Sequence, residues 1–186
     1  MGGKHVNRTV LAATTLAAGT ALLAAGCGGS ASGAAAQKTG TETISGKLTG
    51  QAALATNPVF HLTFRGPVNT TATYPLGNAP KKGETATIKT AAGDFAIVTG
   101  ASSTTERLLS TSTCRVEFST TVPYVVSGSK STGQFAGATG NGHAVVLFVG
   151  DLPKLSNGKC NTGANAQPKT STVVATFTGA GPLTLK

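Results

Sequence analysis

Hydrophobic and polar residues alternate in short runs along most of the chain from Thr41 onward. In the clearest run, residues 115–122, the odd-numbered side chains are polar and most of the even-numbered ones are hydrophobic. This two-residue period is typical of strands with one buried face, because successive side chains of a strand point to opposite sides of the sheet. Similar runs predict further strands at 43–49, 59–64, 68–74, 86–88, 95–97, 105–110, 124–127, 143–149, 172–178 and 183–185.

Proline and glycine separate these predicted strands. Gly66-Pro67 ends the second run, residues 75–83 form a long polar turn, a hairpin turn is predicted around residues 92–94, and Pro123 divides 115–122 from 124–127. Short strands between frequent turns, without a convincing helix, are typical of β-barrels and β-sandwiches. The sequence therefore predicts an all-β domain, an antiparallel barrel of about eight strands, with a sandwich as the alternative.

The N-terminal segment has the layout of a secretory signal. Lys4 and Arg8 precede an uncharged stretch, residues 9–26, that ends in small residues before Cys27. The run Leu22-Leu23-Ala24-Ala25-Gly26-Cys27 resembles the lipobox of bacterial lipoproteins, in which the cysteine is acylated and becomes the mature N-terminus. The resemblance implies a lipid, palmitate among its acyl chains, on Cys27 and a location on the extracytoplasmic face of the cell membrane. Two alternatives are a secreted protein cleaved after residues 34–36 and an uncleaved membrane helix.

The signal divides the chain into three parts. Residues 1–26 are the predicted signal peptide, and residues 27–40 are a predicted flexible tether, since 30–40 is rich in Ala, Ser and Gly without periodicity. Residues 41–186 form a single predicted β domain, long enough to bury a core.

The composition is basic, with a formal net charge of +9 at pH 7. Only Lys81 and Lys82 are adjacent among the basic residues of the domain, and the chain contains no Trp and only two Tyr. Nucleic-acid binding normally needs clustered cations and interleaved aromatic side chains, so that class is not predicted. The positive charge instead suits solubility, or attraction to an anionic polymer of the cell envelope.

Cys114 and Cys160 are the two cysteines left once Cys27 carries lipid. An even pair in an oxidising compartment predicts a disulfide, and a bond across 46 residues would stabilise the fold by roughly 3 to 4 kcal/mol. The alternative is a metal site that also uses His61 or His143. No spacing typical of metal ligands brings these residues together, so neither a metal nor a cofactor is predicted.

A glycine-rich segment, residues 132–142, is the most distinctive internal motif. It reads Thr-Gly-Gln-Phe-Ala-Gly-Ala-Thr-Gly-Asn-Gly, and its Phe135 could plug one end of a core. The segment resembles a "G-x-F-x-G-A-x-G" signature of bacterial secreted proteins related to the allene oxide cyclase and dirigent barrels. The resemblance covers residues 113–185 and implies an eight-stranded antiparallel barrel with a central cavity. It carries over no pocket residues to this chain.

Catalytic patterns are weak in this sequence. Ser127-Gly128-Ser129-Lys130 matches the S-x-x-K motif, but its companion motifs are missing from the domain. Residues 128–133 suggest a phosphate loop, but Gln134 stands where that loop requires lysine. A catalytic role for His61 or His143 would need an acid and a nucleophile beside it. The remaining polar candidates are assigned structural roles: Asp94 in a turn, Glu117 in a surface pair with Arg115 or Lys130, and Glu84, Glu106 and Asp151 as ordinary surface groups.

The sequence therefore predicts no catalytic residue. The first hypothesis is a lipid-anchored extracytoplasmic barrel that binds a small apolar ligand, or coats the envelope, without turnover. The alternative is a barrel similar to allene oxide cyclases or dirigent proteins that acts on a small apolar substrate. A lined cavity would favour binding, and convergence of His61, His143 or a carboxylate on it would favour catalysis.

Overall fold

The computed structural model describes residues 37–77, 80–163 and 165–186. The described chain forms nine β-strands and three single-turn 3₁₀ helices. The strands are β1 (Thr39–Thr49), β2 (Val59–Arg65), β3 (Thr70–Pro75), β4 (Thr85–Thr90), β5 (Gly93–Thr99), β6 (Ser103–Ser110), β7 (Arg115–Val126), β8 (Thr139–Asp151) and β9 (Val174–Thr184). The 3₁₀ turns are Gly50–Ala52, Gly133–Phe135 and Thr170–Thr172.

Eight of the strands close into an antiparallel barrel. Neighbours follow the order β5-β4-β3-β2-β1-β9-β8-β7, and three residue pairs between β5 and β7, from Ile97↔Val126 to Thr99↔Tyr124, complete the ring. Every strand is therefore paired on both sides within the ring, which removes the exposed edges of an open sheet. The predicted barrel of about eight strands is confirmed, and the sandwich alternative is wrong.

The ninth strand, β6, lies outside the ring. It follows β5 after a bend at Gly100 and pairs with the first half of β7, from Ser103↔Thr121 to Ser110↔Arg115. β7 thus pairs with β6 along its first half and with β5 along its last three residues. The sheet β6-β7-β8 extends beyond the ring as a result.

Pro123 does not divide β7, so the prediction of separate strands at 115–122 and 124–127 is wrong. Pro123 lies where β7 passes from β6 to β5, and its carbonyl accepts a 2.7 Å bond from the Gly100 N–H. The backbone nitrogen of a strand residue points to the same side as its carbonyl, here toward the bend between β5 and β6. The missing N–H of proline is tolerated at such an interruption of the ladder.

Three other boundaries differ from the sequence prediction. The runs 172–178 and 183–185 lie largely within one strand, β9. The strand predicted at 143–149 is longer, since β8 runs from Thr139 to Asp151. The first strand begins at Thr39 rather than at residue 43, so the last two residues of the predicted tether belong to it. The strand predicted at 105–110 is confirmed as part of β6.

The predicted disulfide is confirmed. Cys114 in the β6–β7 turn is bonded to Cys160 in the long connection between β8 and β9. The two cysteines pack with Val116, Leu152 and Ala166 in a small cluster separate from the barrel core. The bond therefore holds the β8–β9 connection against the sheet beyond the ring.

In the described part of the chain, no helix is long and apolar enough to cross a membrane.

Candidate functional site

The two ends of the barrel differ in how they are filled. We call the end where β1 begins and β9 ends, at Thr39 and Thr184, the closed end, and the end where β1 stops at Thr49 and β9 starts at Val174 the open end. At the closed end, the rings of Phe64, Phe95 and Phe135 lie 5.0 to 6.1 Å apart between centroids. Phe135 is 0% exposed. The prediction that Phe135 plugs a core end is confirmed.

Glycine makes this plug possible. Gly133 has φ of +58°, and a Cβ atom there would collide with the Ala92 carbonyl in the β4–β5 turn. The backbone of residues 132–134 therefore lies directly against residues 92–94, with the Gln134 N–H donating to the Ala92 carbonyl at 2.8 Å. This contact places the following Phe135 over the barrel axis.

The open end contains a cavity of about 150 Å³. Its floor includes Tyr74 and Phe177, whose ring centroids lie 6.0 Å apart. Aliphatic side chains from β4, β5, β7 and β8 supply most of the wall. The described lining residues are Tyr74, Leu76, Gly77, Pro80, Ala86, Ile88, Ile97, Thr99, Thr120, Val122, Ala144, Val146, Phe148 and Phe177.

The cavity exists because β3 and β4 diverge. Their ladder has a single residue pair, Ala72↔Thr90, near the closed end, whereas β2 and β3 form six pairs. The part of the β3–β4 connection that precedes β4 is held by Thr99, whose hydroxyl donates to the Lys81 carbonyl at 2.7 Å. Pro80 is thereby held at the rim of the cavity.

The described lining offers few polar groups. They are the hydroxyls of Tyr74, Thr99 and Thr120, and those of both threonines already take part in protein hydrogen bonds, Thr120 with Thr104 at 3.0 Å. Burial raises the pKa of the Tyr74 phenol, so this group stays neutral at physiological pH. Among the described lining residues, Tyr74 is therefore the one side chain with a polar group free of such a bond.

The histidines and carboxylates considered from the sequence do not meet at this cavity. His61 and His143 are exposed on the outer faces of β2 and β8, since their neighbours in the chain, Leu62 and Ala144, point into the barrel. Glu84 is exposed and accepts a 2.8 Å bond from the Lys81 N–H. Glu106 is exposed on β6, opposite Phe118.

The predicted surface pairing of Glu117 with Arg115 or Lys130 is wrong. Arg115 pairs with Asp151 at 3.4 Å rather than with Glu117, because the β7–β8 register places Arg115 and Asp151 directly opposite. Lys130 instead donates to the Thr85 hydroxyl at 2.8 Å.

Asp94 also differs from its assigned role. It lies within β5, opposite Lys89, and the turn itself is formed by residues 91 and 92. The Ser127–Lys130 segment does form a turn, in which the Lys130 N–H donates to the Ser127 carbonyl at 3.0 Å.

Glu42 is a buried carboxylic acid that the sequence analysis missed. It is 3% exposed, and its Oε2 accepts a 2.9 Å bond from the Val68 N–H at the closed end. Its other oxygen, Oε1, is buried without a hydrogen-bond partner among the described atoms. Burial raises the pKa of Glu42, against the opposing effects of the Val68 bond and the nearby Lys38 charge. Glu42 and Ile44 share a face of β1, so extending that alternation by two residues would have found it.

Tyr124 lies close to this acid across two strands. A Cβ at Gly142 of β8 would lie 2.6 Å from the Tyr124 hydroxyl, so the absent side chain makes room for the ring. Burial and, secondarily, the Glu42 charge raise the pKa of Tyr124. The polar groups of the closed end are therefore enclosed within the core, whereas the cavity of the open end is apolar.

Within the described residues, no cluster of three or more His, Cys, Asp or Glu side chains could hold a metal ion. Cys27 and the tether as far as residue 36 lie outside the described residues, so lipid attachment stays a prediction. Compared with known proteins, the chain matches no family model, no curated protein and no solved structure. The resemblance to allene oxide cyclases and dirigent proteins also stays a prediction.

Proposed function

We propose that this protein is a lipid-anchored, extracytoplasmic binding protein that holds a small apolar ligand at the open end of its barrel without chemically altering it. The observation that carries the proposal is the cavity of about 150 Å³ with an almost wholly apolar lining. A dry cavity of this size with aliphatic and aromatic walls can accept a molecule about as large as benzene.

The energetics favour an apolar occupant. Each Å² of apolar surface that a ligand removes from water contributes about 25 cal/mol, and a polar ligand group without a partner would lose hydration there. Tyr74 can donate one hydrogen bond to a ligand oxygen at the floor of the cavity. The site therefore suits a molecule that is mainly hydrocarbon, with at most one polar group directed inward.

The described chain enters the barrel at the closed end, where the Lys38 carbonyl accepts a 2.8 Å bond from the Leu185 N–H. Eleven residues lead from Cys27 to Lys38 and could span at most about 40 Å. A lipid on Cys27 would thus be connected to the barrel at the end opposite the cavity.

The catalytic alternative finds less support. A barrel that transforms an apolar substrate would need an acid, a base or a nucleophile in the cavity. His61, His143 and Glu84 lie on the outside, and Glu42 is enclosed at the closed end. Tyr74 is the one titratable side chain among the described lining residues. Binding without turnover is therefore the proposed function.

Ligand binding can be tested by filling the cavity. Ala144 lines it, whereas Ala180 lies in the adjacent strand with its side chain on the outer face. We expect Ala144→Phe to abolish the heat of benzene binding measured by titration calorimetry, and Ala180→Phe to leave it unchanged. Equal benzene binding by both variants would contradict a ligand site at the open end.

The anchor can be tested separately. Cys27→Ser should move the protein from the membrane fraction to the soluble fraction of the producing cells, and it should remove the mass of the acyl chains. A variant that stays with the membrane and keeps its mass would contradict lipid attachment at Cys27.

A further inference from the structure

We infer that the ligand is a single unbranched hydrocarbon chain that occupies the cavity of the open end, which we call the mouth cavity. From there the chain extends along the inner face of β7 and β8 to a second pocket beside the disulfide. This inference rests on the proposed function and specifies its ligand. It assigns a binding role to the sheet beyond the barrel ring.

The second pocket has a volume of about 270 Å³. Val116 and Phe118 of β7 form one wall, and Ala166 and Pro168 of the β8–β9 connection form another. Leu54, from the connection between β1 and β2, also lines it. Gln167 is the one polar side chain among the described lining residues, so this pocket, like the mouth cavity, is mainly apolar.

The two pockets lie on one continuous surface. Phe148 lines both of them. The β7–β8 register places Phe118 directly opposite Phe148, and the next row on the same face pairs Thr120 with Val146 of the mouth cavity. Successive rows of one sheet face thus lead from the cavity to the second pocket through uncharged side chains of β7 and β8. The β6–β7 register places the exposed Glu106 beside the Phe118 row, at the edge of this path.

The dimensions suit an extended chain. Six residues separate Ala144 in the mouth from Gly150 in the second pocket, a distance of about 20 Å along a strand. An extended hydrocarbon advances about 1.25 Å per carbon, since C–C bonds are about 1.5 Å long and meet at a tetrahedral angle. A chain of about sixteen carbons would therefore cover the whole surface.

The solvent-accessible strip is narrow, which favours a chain over a protein partner. Phe118 is 36% exposed, whereas Val116 beside it is buried at 2% and Phe148 is half-buried. A stable protein interface needs about 800 Å² from each partner. Phe118 and Leu108, which is 46% exposed opposite Val116 on β6, are the large exposed apolar side chains of this face in the described chain, and they suit a hydrocarbon chain better than an interface of that area.

The disulfide maintains the outer wall of the second pocket. Cys114 and Cys160 pack with Val116 and Ala166, which are both lining residues. Without the bond, the β8–β9 connection would lose its covalent link to the sheet. None of the described residues of this connection lines the mouth cavity, so loss of the bond should affect long ligands more than short ones.

The test is the binding of saturated fatty acids of six to sixteen carbons, each kept monomeric, measured by displacement of a fluorescent apolar probe. We expect affinity to rise by up to about fourfold per added CH₂ and to continue rising to about sixteen carbons. A plateau at eight carbons or fewer would overturn the inference but leave binding in the mouth intact. The absence of binding at every length would contradict the proposed function itself.

Two variants test whether the dependence of affinity on chain length arises at the second pocket. Phe118→Thr should weaken hexadecanoate binding at least tenfold and leave hexanoate binding unchanged, while Val125→Thr, on the outer face of the same strand, should change neither. Reduction of the disulfide should reproduce the chain-length dependence of Phe118→Thr. If Phe118→Thr and reduction both leave hexadecanoate binding unchanged, the second pocket is not part of the site.

Discussion

The closed and open ends of one barrel show how the same kind of strand can make a core or a binding surface. At the closed end, Phe64, Phe95 and Phe135 are all buried to within 1% exposure. At the open end, Tyr74 and Phe148 are only partly buried, and Phe118 is 36% exposed. All six are aromatic residues on inward-facing positions or in the plug, so residue type alone does not explain the difference.

The course of the backbone explains why aromatic side chains are buried at the closed end and partly exposed at the open end. The glycine-rich segment 133–137 lies across the closed end and supplies Phe135 as a plug. At the open end, β3 and β4 diverge and β6, β7 and β8 extend past the ring, so several inward-facing side chains there are only partly covered. Stability should therefore depend on the closed end, and ligand binding on the open end.

The largest expected effect comes from emptying the plug. Phe135→Ala should lower the free energy of unfolding by about 3 to 5 kcal/mol, because it leaves a cavity among packed rings. Phe118→Ala at the open end should cost about 1 kcal/mol, because much of that ring already meets solvent. Urea unfolding of both variants measures the difference. Equal losses would mean that the two ends are packed alike.

A smaller effect should come from Glu42 and should depend on pH. Burial raises the pKa of Glu42 above its ordinary value of 4.5, so the folded protein binds a proton more tightly than the unfolded chain. The stabilisation from this proton is fully present below pH 4.5 and is lost as the pH rises through the raised pKa. Glu42→Gln should remove this part of the pH dependence.

Glu106→Gln is the matched control, because Glu106 is exposed on β6. Its unfolding free energy should follow the wild-type pH profile. If Glu42→Gln also follows that profile, Glu42 binds its proton equally in the folded and unfolded states, contrary to the effect of its burial.

The smallest effect should come from the ion pair beyond the open end. The Arg115 and Asp151 side chains are 44% and 21% exposed, so their 3.4 Å contact is partly screened by solvent. Arg115→Gln should lower the free energy of unfolding by less than about 1 kcal/mol, and the loss should shrink at high salt. A loss that is larger and independent of salt would indicate a structural role that the contact does not explain.

The strands of the barrel could be predicted from sequence because each follows a local pattern. The alternation at 115–122 and the pairing of Cys114 with Cys160 are both confirmed. Closure through Ile97↔Val126 joins residues far apart in the chain, and no local period indicates it. The continuity of β7 through Pro123 likewise depends on the strand change beside it.

The candidate site was harder to predict because it also depends on contacts between residues far apart in the chain. Its cavity depends on the divergence of β3 from β4, while the residues in it, such as Ala144 and Val146, resemble ordinary core residues. His61 and His143 attracted attention by residue type, but strand alternation places both outside. Glu42 was within reach of the sequence, because it shares the face of Ile44.

The most direct test of the difference between the ends is methyl NMR of the isotope-labelled protein during titration with octanoate. The methyl signals of Ile88, Ile97, Val122 and Val146 at the open end should shift with a common binding curve, while those of Val68 and Leu183 at the closed end should not move. Shifts confined to the closed end or to outward-facing residues such as Val125, or no shifts at all, would contradict an apolar binding site at the open end.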